Sequence, residues 1–222
     1  MSLRASAFAL VVVLVVGCSD GGADTGETIA PDEGADTAIG AVEDLVASIG
    51  DPDFAEASRF AVPEQAALAA LAEGATFGTV AEALREGDEE IAANFWSGFA
   101  QGAGAFLTGP IELSEEGTLT EQDVEFHRIS VTPADGDDRS IFVLEDDGYR
   151  VDLFASFGPG LADKMIPQVE RLLTTQTADA RLILDHLQDI VPSLLVAAQL
   201  PGNSGEVTQQ LLTLVEVITR VG

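Results

Sequence analysis

Ser140-Ile141-Phe142-Val143-Leu144-Glu145 and Tyr149-Arg150-Val151-Asp152-Leu153-Phe154-Ala155, joined by Asp146-Asp147-Gly148, decide the fold of this 222-residue chain. Both runs are rich in β-branched and aromatic residues. An Asp-Gly pair between two such runs is a strong short-range hairpin signal, because a tight turn needs the positive φ that these residues tolerate. The passage predicts two antiparallel strands. Alternation puts Arg150 and Asp152 on the face opposite Val151 and Leu153, as a surface pair across one pleat.

The period of two extends upstream. Ile111 and Leu113 form one short run after Gly109-Pro110, and a longer run spans about Thr118 to Thr132. Within it Val124 and Phe126 share one parity and Ile129 and Val131 the other, which predicts a β-bulge near His127. Pro133-Ala134-Asp135-Gly136-Asp137-Asp138 reads as a turn, and Gly158-Pro159-Gly160 ends the sheet.

On either side the period lengthens to that of a helix. Ile39, Val42, Leu45, Val46 and Ile49 form the first stripe, stopped by Gly50-Asp51-Pro52. A short turn follows around Phe54 to Phe60, then a helix opened by Pro63 and capped at Gly74, with a weaker piece over Thr79 to Arg85. Asp88 is the expected N-cap of a helix carrying Ile91, Phe95, Trp96 and Phe99. After the sheet come a helix from Leu161 to Leu173 and a second from Ala178 to Gln199, broken at Pro192. A last helix behind Ser204 has Val207, Leu211, Leu214, Val215 and Ile218 as its stripe. Helices, then an antiparallel sheet, then helices define an α+β class.

The N-terminus has a different pattern. Arg4 precedes an apolar run from Ala5 to Val16, too short for an ordinary membrane span, and then Gly17 and the only cysteine, Cys18. This arrangement resembles the signal of bacterial lipoproteins, in which the cysteine is lipidated and becomes the first residue after cleavage. The resemblance implies export and lipid anchoring at Cys18 to the outer face of the cell membrane. Residues 1–17 are then the signal and residues 18–36 an acidic, turn-rich tether reaching on the order of 20 to 25 Å. With the one thiol consumed, neither a disulfide nor a thiolate zinc site forms within the chain.

Ten Lys and Arg face 38 Asp and Glu, a net charge of −28. Nucleic acid and anionic headgroups are excluded as partners, since phosphate recognition needs a basic footprint. Hydrophobic residues make up 46% of the chain, enough for a core, so the acidic surplus belongs on the surface of a folded domain. Salt adaptation and a GC-rich genome both account for that surplus.

Residues 37–157 resemble the NTF2-like fold, in which N-terminal helices close over a curved antiparallel sheet to make a cone. The resemblance rests on the opening helix followed by Gly50-Asp51-Pro52-Asp53-Phe54 and on the closing hairpin through Gly148-Tyr149-Arg150-Val151-Asp152. It points to actinobacterial lipoproteins. Residues 158–222 depart from that family as a C-terminal helical extension, which either packs beneath the sheet or forms a small subdomain.

NTF2-like enzymes of the isomerase or dehydratase type place an Asp, His or Tyr in the cone as general acid or base, which makes His127, Tyr149 and Asp152 the catalytic candidates. Each has a plainer reading: His127 alternates as on an exposed strand, Asp152 as a surface partner of Arg150, and Tyr149 as packing. His186 lies near Asp185 and Asp189, but a solvated helix face explains the three better than a metal site. Asp135 to Asp138 and Asp146 to Gly148 lack the ligand spacing of a calcium loop, so no cofactor is expected. Phe95, Trp96, Phe99 and Phe106, set among small residues, are the expected lining of an apolar ligand pocket, with a plain core helix as the alternative. Taken together, the sequence favours a lipid-anchored, non-catalytic module binding an apolar molecule or an envelope protein. Its alternatives are an enzyme working in the cone and an envelope-complex subunit docking through an exposed stripe of Val207, Leu211, Leu214 and Ile218.

Overall fold

A computed structural model describes residues 34–50, 54–71, 89–102, 104–134, 136–174 and 177–220. The signal, Cys18, the tether up to residue 33, the piece over Thr79 to Arg85 and the caps at Gly74 and Asp88 lie outside the described residues.

Among the described residues four helices come first: α1 (Ala38–Gly50), α2 (Phe54–Ala57), α3 (Pro63–Leu71) and α4 (Glu89–Gln101). Phe106 lies beyond α4, in a separate 3₁₀ turn, Ala105–Leu107. The sheet is an antiparallel meander in the order β1 (Ile111–Glu121), β2 (Val124–Pro133), β3 (Arg139–Glu145), β4 (Tyr149–Val151). Among the described residues five helices follow: α5 (Leu153–Phe157), α6 (Ala162–Leu173), α7 (Ala178–Asp189), α8 (Val191–Ala198) and α9 (Gly205–Thr219). The fold is α+β, as the sequence requires.

The long run from Thr118 to Thr132 is not one strand. It turns at Gln122 and Asp123, whose φ angles of 49° and 66° give the two-residue turn between Glu121 and Val124. The ladder irregularity lies in β1 between Glu115 and Gly117, not in β2. The change of parity in β2 has another cause: its two faces enter two different cores. Ile129 and Val131 join the main core, whereas Phe126 packs with Phe142, Ala155 and Val196 in a second cluster on the opposite face.

The last strand is also shorter than its alternation implies. β4 ends at Val151, and Asp152 is the N-cap of α5, its carboxylate accepting from the Ala155 backbone N–H at 2.7 Å. A strand followed by a capped helix of Leu-Phe-Ala-Ser-Phe keeps the polar and apolar spacing of a longer strand, hence the misreading.

The C-terminal helices pack against the sheet and its helices rather than forming a subdomain. α7 breaks at Ile190 and α8 begins with Pro192 in its first turn, where the missing N–H costs nothing. Leu211, Leu214 and Ile218 of α9 are fully buried in the main core, and Val207 packs against it. The stripe expected to dock a partner is therefore internal. Val196 and Leu200 reach the second cluster, so the sheet is covered on both faces.

The chain enters the fold at the sheet edge. Ala35 exchanges two backbone hydrogen bonds with Tyr149, at 2.9 and 2.8 Å, and the Val151 N–H donates to the Phe60 carbonyl at 2.7 Å. Residues 34–36, assigned to the tether, thus belong to the folded part.

Candidate functional site

The three catalytic candidates separate into two environments. Asp152 is fully buried, which corrects the surface pair with Arg150. Its Oδ2 accepts from Gln65 Nε2 at 2.8 Å and from Ser193 Oγ at 2.6 Å, while Gln65 Oε1 accepts the Leu153 N–H at 2.7 Å. Burial pushes the Asp152 carboxyl above its ordinary range, and the donors from Ala155, Ser193 and Gln65 oppose that shift. These bonds tie α3, α5 and α8 together. Arg150 instead donates to the Asp146 carbonyl at 2.5 Å.

His127 and Tyr149 do come together. Their rings meet edge to face, with centroids 5.2 Å apart, on the face of the sheet that carries Ile129 and Val143. His127 Nδ1 lies 3.0 Å from Glu115 Oε1. Partial burial, then the Glu145, Glu115 and Glu125 carboxylates, raise the Tyr149 phenol above its ordinary value. A carboxylate orienting an imidazole beside a phenol is chemically competent for proton transfer.

The aromatic residues expected to line a pocket form a packed cluster. Trp96 is fully buried, its indole Nε1–H donating to Ser58 Oγ at 2.9 Å. Phe95 and Phe99 meet its edges, and Phe99 and Phe106 continue the stack to Phe157. Of the four, Phe106 also lines a cleft among the described residues.

This cleft has a volume of about 750 Å³ and lies on the side of the sheet opposite His127. Its floor is Arg128 and Ser130 of β2 and Ser140 of β3. Phe106, Phe157, Pro159 and Leu200 form apolar walls, and Pro201-Gly202-Asn203 of the α8–α9 turn completes it. Glu116, Asp137, Asp138 and Arg139 also line it. Arg128 Nε donates to Ser140 Oγ at 2.9 Å and lies 2.9 Å from Glu116 Oε2. Glu116 is the extra residue of the β1 irregularity, so the bulge supplies the partner of Arg128. The Arg139 guanidinium lies over the Phe106 ring, 4.5 Å from its centroid.

His186 Nδ1 is 3.7 Å from Asp189 Oδ2, an i, i+3 pair on α7. Among the described residues no group of three or more His, Cys, Asp or Glu is placed to hold a metal ion, and no helix is long and apolar enough to cross a membrane.

Sequence reasoning missed Arg128, Arg139, Ser130 and Ser140. A usable signal was present: in a chain with ten basic residues, two fall on the neighbouring strands β2 and β3. The chain matches no protein-family model, no curated protein and no solved structure.

Proposed function

We propose that this chain is an exported lipoprotein, anchored through Cys18 to the outer face of the cell membrane, and that it binds a small molecule in the cleft above Arg128, Ser130 and Ser140. The cleft carries this reading: it is large enough for a small molecule and combines apolar walls with a few convergent polar groups. The packing of Phe95 and Phe99 against the buried Trp96 moves the expected binding place from α4 to the cleft that Phe106 shares. The NTF2-like assignment draws support from α1 to α4 preceding an antiparallel meander, with α1 packed on the face that carries Ile129 and Val143. The second cluster, in which Val196 covers the opposite face, is a departure from a simple cone.

Two measurements test the proposal. Cell fractionation with a lipid label should recover wild-type protein labelled in the membrane and Cys18→Ser unlabelled outside it; unlabelled wild-type protein in the medium overturns the anchoring. Native mass spectrometry of the full-length protein should show a co-purifying small mass that Ser130→Phe, which fills the cleft, removes. A clean mass for the wild type counts against a binding module. A second reading, an acid–base enzyme, rests on the Glu115–His127–Tyr149 grouping.

A further inference from the structure

We infer that the cleft selects a monocarboxylate carrying an apolar group, with the Arg139 guanidinium receiving the carboxylate and the Phe106, Phe157, Pro159 and Leu200 walls receiving the rest. The inference rests on the proposal that this cleft is the binding site, and it names the ligand class.

The two arginines of the cleft are not equivalent. Arg128 is already committed to Ser140 and Glu116. Arg139 sits over the Phe106 ring, 4.5 Å from its centroid, and among the described residues no carboxylate lies within ion-pair distance of it. A guanidinium drawn to a ring face keeps its planar fork of N–H donors for a further partner. A planar group with two equivalent oxygens matches that fork, and a carboxylate is such a group. The field of the whole molecule then restricts the charge. At a net −28, and with Asp137 and Asp138 exposed beside the cleft, each additional negative charge on the ligand is repelled. One anionic group is matched by one uncommitted cation; a phosphate dianion or a polyacid is not. The four apolar walls favour a hydrocarbon portion over a small free acid such as acetate.

Calorimetric titration of the full-length protein in nanodiscs tests this with hydrocinnamate, hydrocinnamyl alcohol and inorganic phosphate as probes. The first two share one apolar group and differ only at the head. Hydrocinnamate should bind, and Arg139→Gln, an exposed position, should weaken it by roughly tenfold, the loss of one charge-assisted hydrogen-bonded contact. The alcohol should bind more weakly than hydrocinnamate to the wild type and be unaffected by Arg139→Gln. Equal binding of acid and alcohol overturns the inference and leaves a binding cleft for neutral molecules standing. Phosphate binding as tightly as hydrocinnamate, with the same dependence on Arg139, overturns the ligand class. Binding of none of the three overturns it as well; the proposal of a binding module then stands or falls on the co-purifying mass alone.

Discussion

One carboxylate, Asp152, organises the junction of three helices. It caps α5 and accepts from Gln65 and Ser193, whose own helices begin far away in sequence. Asp152→Asn keeps the shape but turns an acceptor into a donor. Gln65 cannot invert to accommodate it, because its Oε1 already accepts the Leu153 N–H. We expect a loss of about 1 to 3 kcal/mol, read by denaturant unfolding. The pH dependence has a defined sign. Burial raises the folded-state carboxyl above its unfolded value, so its contribution is full below the usual aspartate range and is lost as pH rises through the raised value. The stability gap between wild type and Asp152→Asn should therefore narrow as pH rises above about 4, and a gap that widens would contradict the assignment. In the sequence this residue is indistinguishable from a polar strand position. The end of β4 at Val151 makes it a cap, and Gln65 of α3 and Ser193 of α8 reach it across the fold.

The β3–β4 hairpin is the element most legible in the sequence. Glu145 pairs with Tyr149 across Asp146-Asp147-Gly148, and Asp147 and Gly148 adopt φ of 46° and 105°, as the Asp-Gly signal implies. The β1–β2 turn was hidden because Gln122-Asp123 takes the same left-handed conformation without a glycine. The break at Pro192, the N-cap at Ser204 and the opening of α3 at Pro63 were legible from residue chemistry alone. What β4 pairs with on its far side was not, since it is loop backbone. A Cβ on Gly34 would lie 2.7 Å from the Tyr149 carbonyl oxygen, so only glycine lets the entering chain approach. Gly34→Leu should release the Ala35–Tyr149 bridge, costing about 1 to 2 kcal/mol for its two hydrogen bonds. Hydrogen exchange should then speed up at the Tyr149 amide and stay unchanged at Ile129 in the sheet centre.

At the scale of the molecule, the helices after residue 158 are part of the interior. Gly158 illustrates the closeness: a Cβ there would meet Ala197 and Leu211 at 3.2 and 3.3 Å. Leu211→Ala should cost about 3 kcal/mol, and near- and far-ultraviolet dichroism should lose their signals in one coincident transition. Separate transitions for the sheet and the C-terminal helices would show an independent subdomain instead. The cleft was illegible in the sequence for the same reason that it exists: Arg128 and Ser140 meet through strand pairing, and the α8–α9 turn closes the space from some sixty residues away. The meander also has a colloidal consequence. Loop backbone at Ala35 and Phe60 occupies the outer side of β4. Among the described residues β1 is thus the one strand with an unpaired side. It carries Glu112, Glu115, Glu116 and Glu121 and is interrupted by its bulge. Two copies aligning there would oppose like charges on a broken row of donors and acceptors, so crowding does not extend the sheet from one molecule to the next.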